Sequence, residues 1–187
     1  MKASAAIFAD YGYYGATTRD IAKKAGVAEP SVYRLFKTKE RLFEETLLAT
    51  VNSTLDPAQF LLIIYEHEQK HEKFSVLAMD AVRKWYSSLP EQSARLLMQA
   101  ALSKNEKWRA IAHSRTQKII QLLADAIDRE TRRSKTKTVS GFTAARMLIL
   151  SLYDFRLTRT ILETGEKEHD VLEKTMRQWL EGLSVSG

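Results

Sequence analysis

The chain has 187 residues, 44% apolar and 28% charged, the balance of a soluble globular protein with one large domain or two smaller ones. It has no cysteine, which excludes disulfides, thiol nucleophiles and thiolate metal sites, and its longest uninterrupted apolar run, residues 60–65, is far short of the roughly 20 a membrane span needs. With 29 Lys and Arg against 23 Asp and Glu, the net charge of +6 and the pI of about 9.5 allow a polyanionic partner; no apolar leader follows Met1, so a cytoplasmic location away from the membrane is expected.

Seven glycines and three prolines are too few for a turn-rich β protein, and apolar spacings of three and four recur throughout. The reading is all-α, about nine helices with short connections. Asp56-Pro57 should break or bend a helix arriving from Lys39, which divides the chain into 1–52 and 53–187.

The first fifty residues carry most of the information. Thr17 with Asp20 three residues later is a variant of the capping box: the hydroxyl accepts an N–H that the first turn leaves unpaired. Ile21 and Ala22 face inward, Ala22 being small enough for a second helix to cross closely. Gly26 suits the left-handed conformation that ends a helix and reverses the chain, after which Val27 enters the core. Pro30 fits the first turn of the next helix, and Val32, Leu35 and Phe36 form its apolar stripe. Two short helices joined by a glycine turn make a helix-turn-helix, whose second helix is sized for the DNA major groove. A plain helical hairpin explains any one of these residues, but hardly all of them in register.

Together with Ala6-Ile7-Phe8-Ala9-Asp10-Tyr11-Gly12-Tyr13 before them, and Tyr33-Arg34-Leu35-Phe36 and Lys37-Thr38-Lys39-Glu40-Arg41-Leu42 after, these features make residues 3–48 resemble the DNA-binding domain of TetR-family transcriptional regulators. The rest of the chain matches only in being helical and of suitable length. The resemblance implies an N-terminal three-helix helix-turn-helix domain, then a larger helical domain for effector binding and dimerisation. It implies phosphate contacts by Thr17, Tyr33 and Lys39, and a phosphate or base contact by Arg19. Ala28, Glu29, Pro30 and Ser31 take the base-reading positions at the exposed start of the recognition helix. Arg34 lies on the groove side and suits a bidentate guanine contact, worth about 1–3 kcal/mol of discrimination. Glu29 is awkward beside phosphates; it accepts from cytosine N4 or points away. Family members usually carry a further turn of the first helix and a basic arm, whereas only Met1-Lys2 precede Ala3 here. If Met1 is the native start, minor-groove contacts by such an arm are lost.

Charge agrees with this placement. Residues 1–41 hold eight basic and four acidic side chains, leaving +4 of the chain's +6 in under a quarter of its length. A second basic cluster (Arg129, Arg132, Arg133, Lys135 and Lys137) reads as a solvated loop.

Residues 67–71, His-Glu-Gln-Lys-His, match the H-E-x-x-H pattern of zinc peptidases, in which two histidines one turn apart hold the metal and the glutamate activates a water. A zinc hydrolase using His67, Glu68 and His71 is therefore one alternative. The stretch 65–73 is charged nearly all round, however, where a catalytic helix should be half buried. No other enzyme motif is present, so no enzyme, cofactor or resident metal is expected. A dimeric ligand-binding protein without DNA binding is the other alternative.

Large side chains crowd residues 74–127, and most of them read as core. The resemblance implies an effector cavity there, with Met79, Trp85, Tyr86, Met98, Trp108 and Arg115 as candidate lining. The stretch 142–162 is apolar on more than one face, and Leu172, Met176, Trp179 and Leu183 form a narrow stripe after it. By resemblance these two helices make a homodimer interface, with Leu148, Leu152 and Phe155 on the first. The expected function is a repressor that leaves a palindromic operator on double-stranded DNA when a small apolar effector binds.

Overall fold

The computed structural model describes residues 1–54, 56–70, 74–134, 140–162 and the single positions 174, 177 and 178. Every regular element among them is a helix: α1 (Lys2–Gly15), α2 (Thr18–Ala25), α3 (Glu29–Phe36), α4 (Lys39–Thr54), α5 (Pro57–Lys70), α6 (Phe74–Ser88), α7 (Glu91–Ala101), α8 (Glu106–Ser134) and α9 (Gly141–Leu162). The all-α expectation holds.

Packing divides the chain differently from a single cut at 52/53. One compact unit is Met1–Asp56 with Ser88–Thr116; the other is Pro57–Ser87 with the described residues from Gln117 onward. The reason lies in α7, whose Ala94, Leu96, Leu97 and Ala100 are all buried. A domain of some fifty residues has little interior of its own, and this apolar face completes it.

In the first unit the core is aromatic. Phe8 meets Phe43 edge to face at 4.8 Å, and Trp108 of α8 sits 4.6 Å from both the Tyr13 and the Phe43 rings. α4 buries a stripe of threonines that the interior tolerates because each hydroxyl is satisfied. Thr46, Thr50 and Thr54 donate to the carbonyls of Leu42, Thr46 and Thr50 at 2.6, 2.8 and 2.7 Å, and Ser4 adds a 2.9 Å hydroxyl contact to Thr46. Two polar clasps hold α4 to the start of α8: Lys107 to Glu44 at 2.6 Å, and Arg115 to Asn52 at 2.9 Å and to Asp56 at 3.6 Å. Both the Lys107–Glu44 and Arg115–Asn52 pairs are 63 residues apart in sequence, so α8 and α4 run in the same direction where they meet.

In the second unit Ile64, Leu77 and Ala126 form a core with Ile63 and Leu122 against it. The start of α9 is fixed to α8 by Gly141, whose N–H donates to the Asp128 carboxylate at 2.8 Å. A Cβ there would stand 2.3 Å from the Ala124 carbonyl oxygen, so only glycine permits the approach. On α9, Ala144, Ala145, Leu148, Ile149, Leu152 and Tyr153 point inward, while Phe142, Met147 and Leu150 are exposed.

The stretch Lys39–Lys70 meets the length and hydropathy of a membrane span. Of its apolar residues, Leu42, Phe43, Leu47, Val51, Phe60 and Ile64 are buried in the core, while Leu48, Leu61, Leu62 and Tyr65 are exposed.

Candidate nucleic-acid interface

The helix-turn-helix forms as its capping residues dictate. Thr17 is the N-cap of α2: its hydroxyl accepts the Asp20 N–H at 3.1 Å and donates to the Asp20 carboxylate at 2.5 Å. Gly26 ends α2 with φ 69° and ψ 31°, and the Val27 N–H closes on the Ala22 carbonyl at 3.0 Å. Pro30 occupies the first turn of α3, as expected.

Two inward assignments were mistaken. Val27 is 48% exposed, because the turn that uses its N–H leaves its side chain outside. Leu35 is 69% exposed: eight residues of α3 bury only a narrow face centred on Val32, with Phe36 partly covered beside it.

Between α2 and α3 lies a staple. The buried Thr18 hydroxyl donates to the Glu29 carboxylate at 2.6 Å and lies 3.1 Å from the Tyr33 hydroxyl. Glu29 therefore neither reaches outward nor hangs free. It ties the start of the recognition helix to the start of α2, and its charge suits the positive end of α3. Tyr33 stays 47% exposed, with its hydroxyl at the edge of this network.

The junction from α3 to α4 stores strain. Lys37 has φ 64° and ψ −44°, and the Thr38 N–H bonds back to the Phe36 carbonyl at 2.7 Å, the geometry of the rare γ-turn. Thr38 then opens α4, its hydroxyl accepting the Arg41 N–H at 3.1 Å.

The expected DNA-contacting residues thus fall into two groups. Arg19, Ala28, Pro30, Tyr33 and Arg34 are exposed and Ser31 half exposed, all on α2, α3 or the turn between them. Thr17, though exposed, uses its hydroxyl in the cap; Glu29 is held by Thr18; and Lys39 is half buried, its Nζ donating to the Ala16 carbonyl at 3.0 Å while lying 4.7 Å from the Tyr13 ring centroid. Burial, the Glu40 carboxylate and Tyr14 push the Tyr13 hydroxyl above its ordinary pKa, so Tyr13 is neutral at physiological pH. Sequence reasoning missed Thr18 and Tyr13, and it offered Trp108 only as effector lining, not as a partner of Tyr13 and Phe43. The Thr17-Thr18 pair hinted at the first, but the other two depend on contacts between distant segments.

The six effector candidates are divided between the two units. Trp108 is packed between Tyr13 and Phe43, and Arg115 is engaged by Asn52 and Asp56; with Met98 they belong to the first unit. Met79, Trp85 and Tyr86 belong to the second. There Trp85 is fully buried and meets Tyr153 edge to face at 4.9 Å. Arg156 stacks on the Tyr86 ring, 3.4 Å from its centroid, and donates to the Tyr86 carbonyl.

For the dimer candidates, Leu148 and Leu152 are turned into the chain's own interior. The side chain of Phe155, and Leu172, Met176, Trp179 and Leu183, lie outside the described residues.

The H-E-x-x-H segment is occupied otherwise. His67 is buried with Nε2 3.1 Å from the Asp80 carboxylate, while Glu68 faces outward in a 2.9 Å ion pair with Arg129. The would-be metal ligand and the would-be base therefore face different partners. His71 lies outside the described residues, among which no group of three potential ligands could hold a metal ion.

Residues 1–46 match the family model of bacterial regulatory proteins of the tetR family. Over 105 residues the chain is 30% identical to the HTH-type transcriptional repressor KstR2 of Mycolicibacterium smegmatis; the match takes in 49% of this chain and 51% of that relative, so it spans about half the relative's length. It is 24% identical over 192 residues to the HTH-type transcriptional regulator YhgD of Bacillus subtilis, covering 100% of this chain and 93% of YhgD. Among solved structures, the transcriptional regulator FadR from Bacillus subtilis in complex with stearoyl-CoA superposes with a TM-score of 0.69 at 17% identity, over 97% of this chain and 96% of that one. The ketosteroid transcriptional regulator KstR2 of Mycobacterium tuberculosis gives 0.66 at 16% identity, over 99% and 93%. At these identities the structural likeness is one of fold.

Proposed function

With its N-terminal domain that of a TetR-family transcriptional regulator, we propose that this chain represses transcription as a homodimer on a palindromic operator and is released by a small apolar effector. The observation that carries the reading is the surface of α3. Ala28, Pro30 and Arg34 stand exposed on a helix whose start is fixed by the Thr18–Glu29 staple. Small residues at the front admit close approach to base edges, and Arg34 supplies the guanidinium that recognises guanine. Arg19, Lys23 and Lys24 add exposed positive charge for phosphates.

The exposed apolar residues of α9, Phe142, Met147 and Leu150, offer a dimer contact in place of Leu148 and Leu152. Two recognition helices one DNA turn apart would then meet a palindrome. For the effector, Met79, Trp85 and Tyr86 form an apolar set within the second unit, with Arg156 as the cation beside Tyr86. The stearoyl-CoA bound by FadR and the ketosteroid in the name of KstR2 support an apolar class. Release needs only that the effector bind better to a spacing of the two recognition helices that the operator rejects. α4 is the element to displace, because Lys107, Trp108 and Arg115 all grip it or its neighbours from α8.

The test is selection from random DNA duplexes at fixed moderate salt, with Tyr33→Phe and Arg34→Ala in parallel. Both side chains are exposed, so the fold survives their loss. The expected result is an enriched palindrome that both variants bind more weakly, and from which stearoyl-CoA releases the wild type. A folded dimer that enriches nothing would refute the DNA reading. Enrichment without release by stearoyl-CoA would refute a long-chain acyl effector.

A further inference from the structure

α1 is broken near its end. Gly12 has φ 69° and ψ 175°, which turns the Tyr13 peptide away from the direction in which a helical N–H would meet the Ala9 carbonyl. Ala9 is buried, so its carbonyl needs a donor from elsewhere in the protein. That donor is Gln99 of α7, 90 residues away, whose Nε2 donates to the Ala9 oxygen at 3.0 Å. Its Oε1 is buried with no hydrogen-bond partner among the described residues, 4.0 Å from where a Cβ on Gly12 would stand. Only the donor end of the carboxamide is used.

The segment beyond the break leads into the DNA-binding helices. Tyr13 turns in against Phe43 and Trp108, at 5.2 and 4.6 Å between ring centroids. Lys39 covers the Tyr13 ring and holds the Ala16 carbonyl, immediately before the Thr17 cap of α2.

We propose that Gln99 is a positioning residue for operator binding: its amide holds the Gly12 break in α1, and through Tyr13 and Lys39 that break sets where α2 begins and how α3 is presented. This role rests on the chain's being a DNA-binding regulator. A leucine in place of Gln99 fills the space and donates nothing. A glutamate distinguishes donation from packing, since the ionised carboxylate offers the Ala9 carbonyl only acceptors, whereas the protonated form offers an O–H.

The experiment uses the full chain labelled with 5-fluorotryptophan, the Trp108 resonance being assigned by Trp108→Phe. Affinity for the duplex enriched by the wild type is measured from about pH 8 to about pH 5.5, a span in which a partly buried glutamate takes up its proton. Gln99→Leu should lose about tenfold in affinity at every pH, the scale of one buried hydrogen bond. Gln99→Glu should bind weakly at the upper end and recover relative to the wild type as the pH falls, with its Trp108 ¹⁹F resonance moving along the same curve. Gln99→Leu binding within about twofold of the wild type overturns the proposal. So does a Gln99→Glu to wild-type affinity ratio that is flat with pH. Should the wild type enrich no duplex, the DNA reading itself fails. The ¹⁹F titration then still decides whether Gln99 holds α1: a pH-linked shift of Trp108 in Gln99→Glu supports it, and an unmoved resonance overturns it.

Discussion

Glu29 takes a position at which the resemblance implies base reading, yet its carboxylate is held by Thr18 at 2.6 Å. Two roles, cytosine reader and staple, make opposite predictions for Glu29→Ala. As a staple, the side chain contributes a hydrogen bond to a charged group, about 1.5–3 kcal/mol and toward the lower end because Glu29 is partly exposed. Its charge in the first turn of α3 adds about 0.3–1 kcal/mol. The variant should therefore unfold about 2 kcal/mol more easily in urea. Thr18→Val should cost a similar amount, and the double mutant little more than either, because both remove the same bond. On DNA, Glu29→Ala removes a negative charge near the phosphates but also the bond that fixes the start of α3, so any change in affinity should be alike across sequences. Selection with Glu29→Ala should thus return the wild-type consensus at every position. An unchanged urea midpoint, together with one operator position relaxed away from cytosine, would refute the staple and make Glu29 a reader.

The geometry yields three further expected outcomes. Lys37→Gly should raise stability by about 1 kcal/mol, since glycine removes the side-chain strain of the γ-turn and Lys37 is exposed; a lower melting temperature would mean that the Lys37 side chain is needed there. The raised Tyr13 pKa means that the folded state holds that proton more tightly than the unfolded chain, whose ordinary value is 10.0. Stability should accordingly fall as the pH rises through about 10 and beyond, and Tyr13→Phe should lose that part of the alkaline limb in pH-dependent unfolding. Gly141→Ala places a methyl 2.3 Å from the Ala124 carbonyl oxygen and strains the Gly141 N–H bond to Asp128. A loss of about 3 kcal/mol is expected by calorimetry, and an unchanged melting temperature would show that α9 can shift without cost.

Local chemistry explains how much of this was legible in the sequence. The Thr17 cap, the Gly26 turn and Pro30 at the start of α3 depend on neighbours within about five residues, and periodicity alone indicated helices throughout. Faces were harder. Leu35 and Val27 look like core in a list of apolar residues, but the eight residues of α3 bury too narrow a strip to take Leu35, and Val27 lies in the turn before α3 with its side chain outside. α9 shows the reverse difficulty. With apolar residues on several faces, spacing could not tell which of Leu148, Leu152, Met147 and Leu150 the chain keeps for its own interior.

What the sequence could not show is the set of bonds made across long separations. Thr18 and Glu29 are 11 residues apart, Lys39 and Ala16 are 23, Lys107 and Glu44 are 63, and Gln99 and Ala9 are 90. Each joins a polar side chain to a group far away in sequence, in two cases the backbone carbonyl of a buried alanine, so no periodicity marks them. These bonds carry the positioning because the local signals leave it open. A cap and a glycine turn determine that α2 and α3 form, but not how the pair is held against α1 and α4. Lys39 illustrates the difference. Its place at the start of α4 resembles that of a phosphate-binding lysine, and its Nζ is already engaged by the Ala16 carbonyl and the Tyr13 ring. An ammonium has three donors, so holding Ala16 leaves others for a phosphate. A charge fixed in this way binds a phosphate without first losing the freedom of a four-carbon chain, so the internal bond and the expected external one reinforce each other.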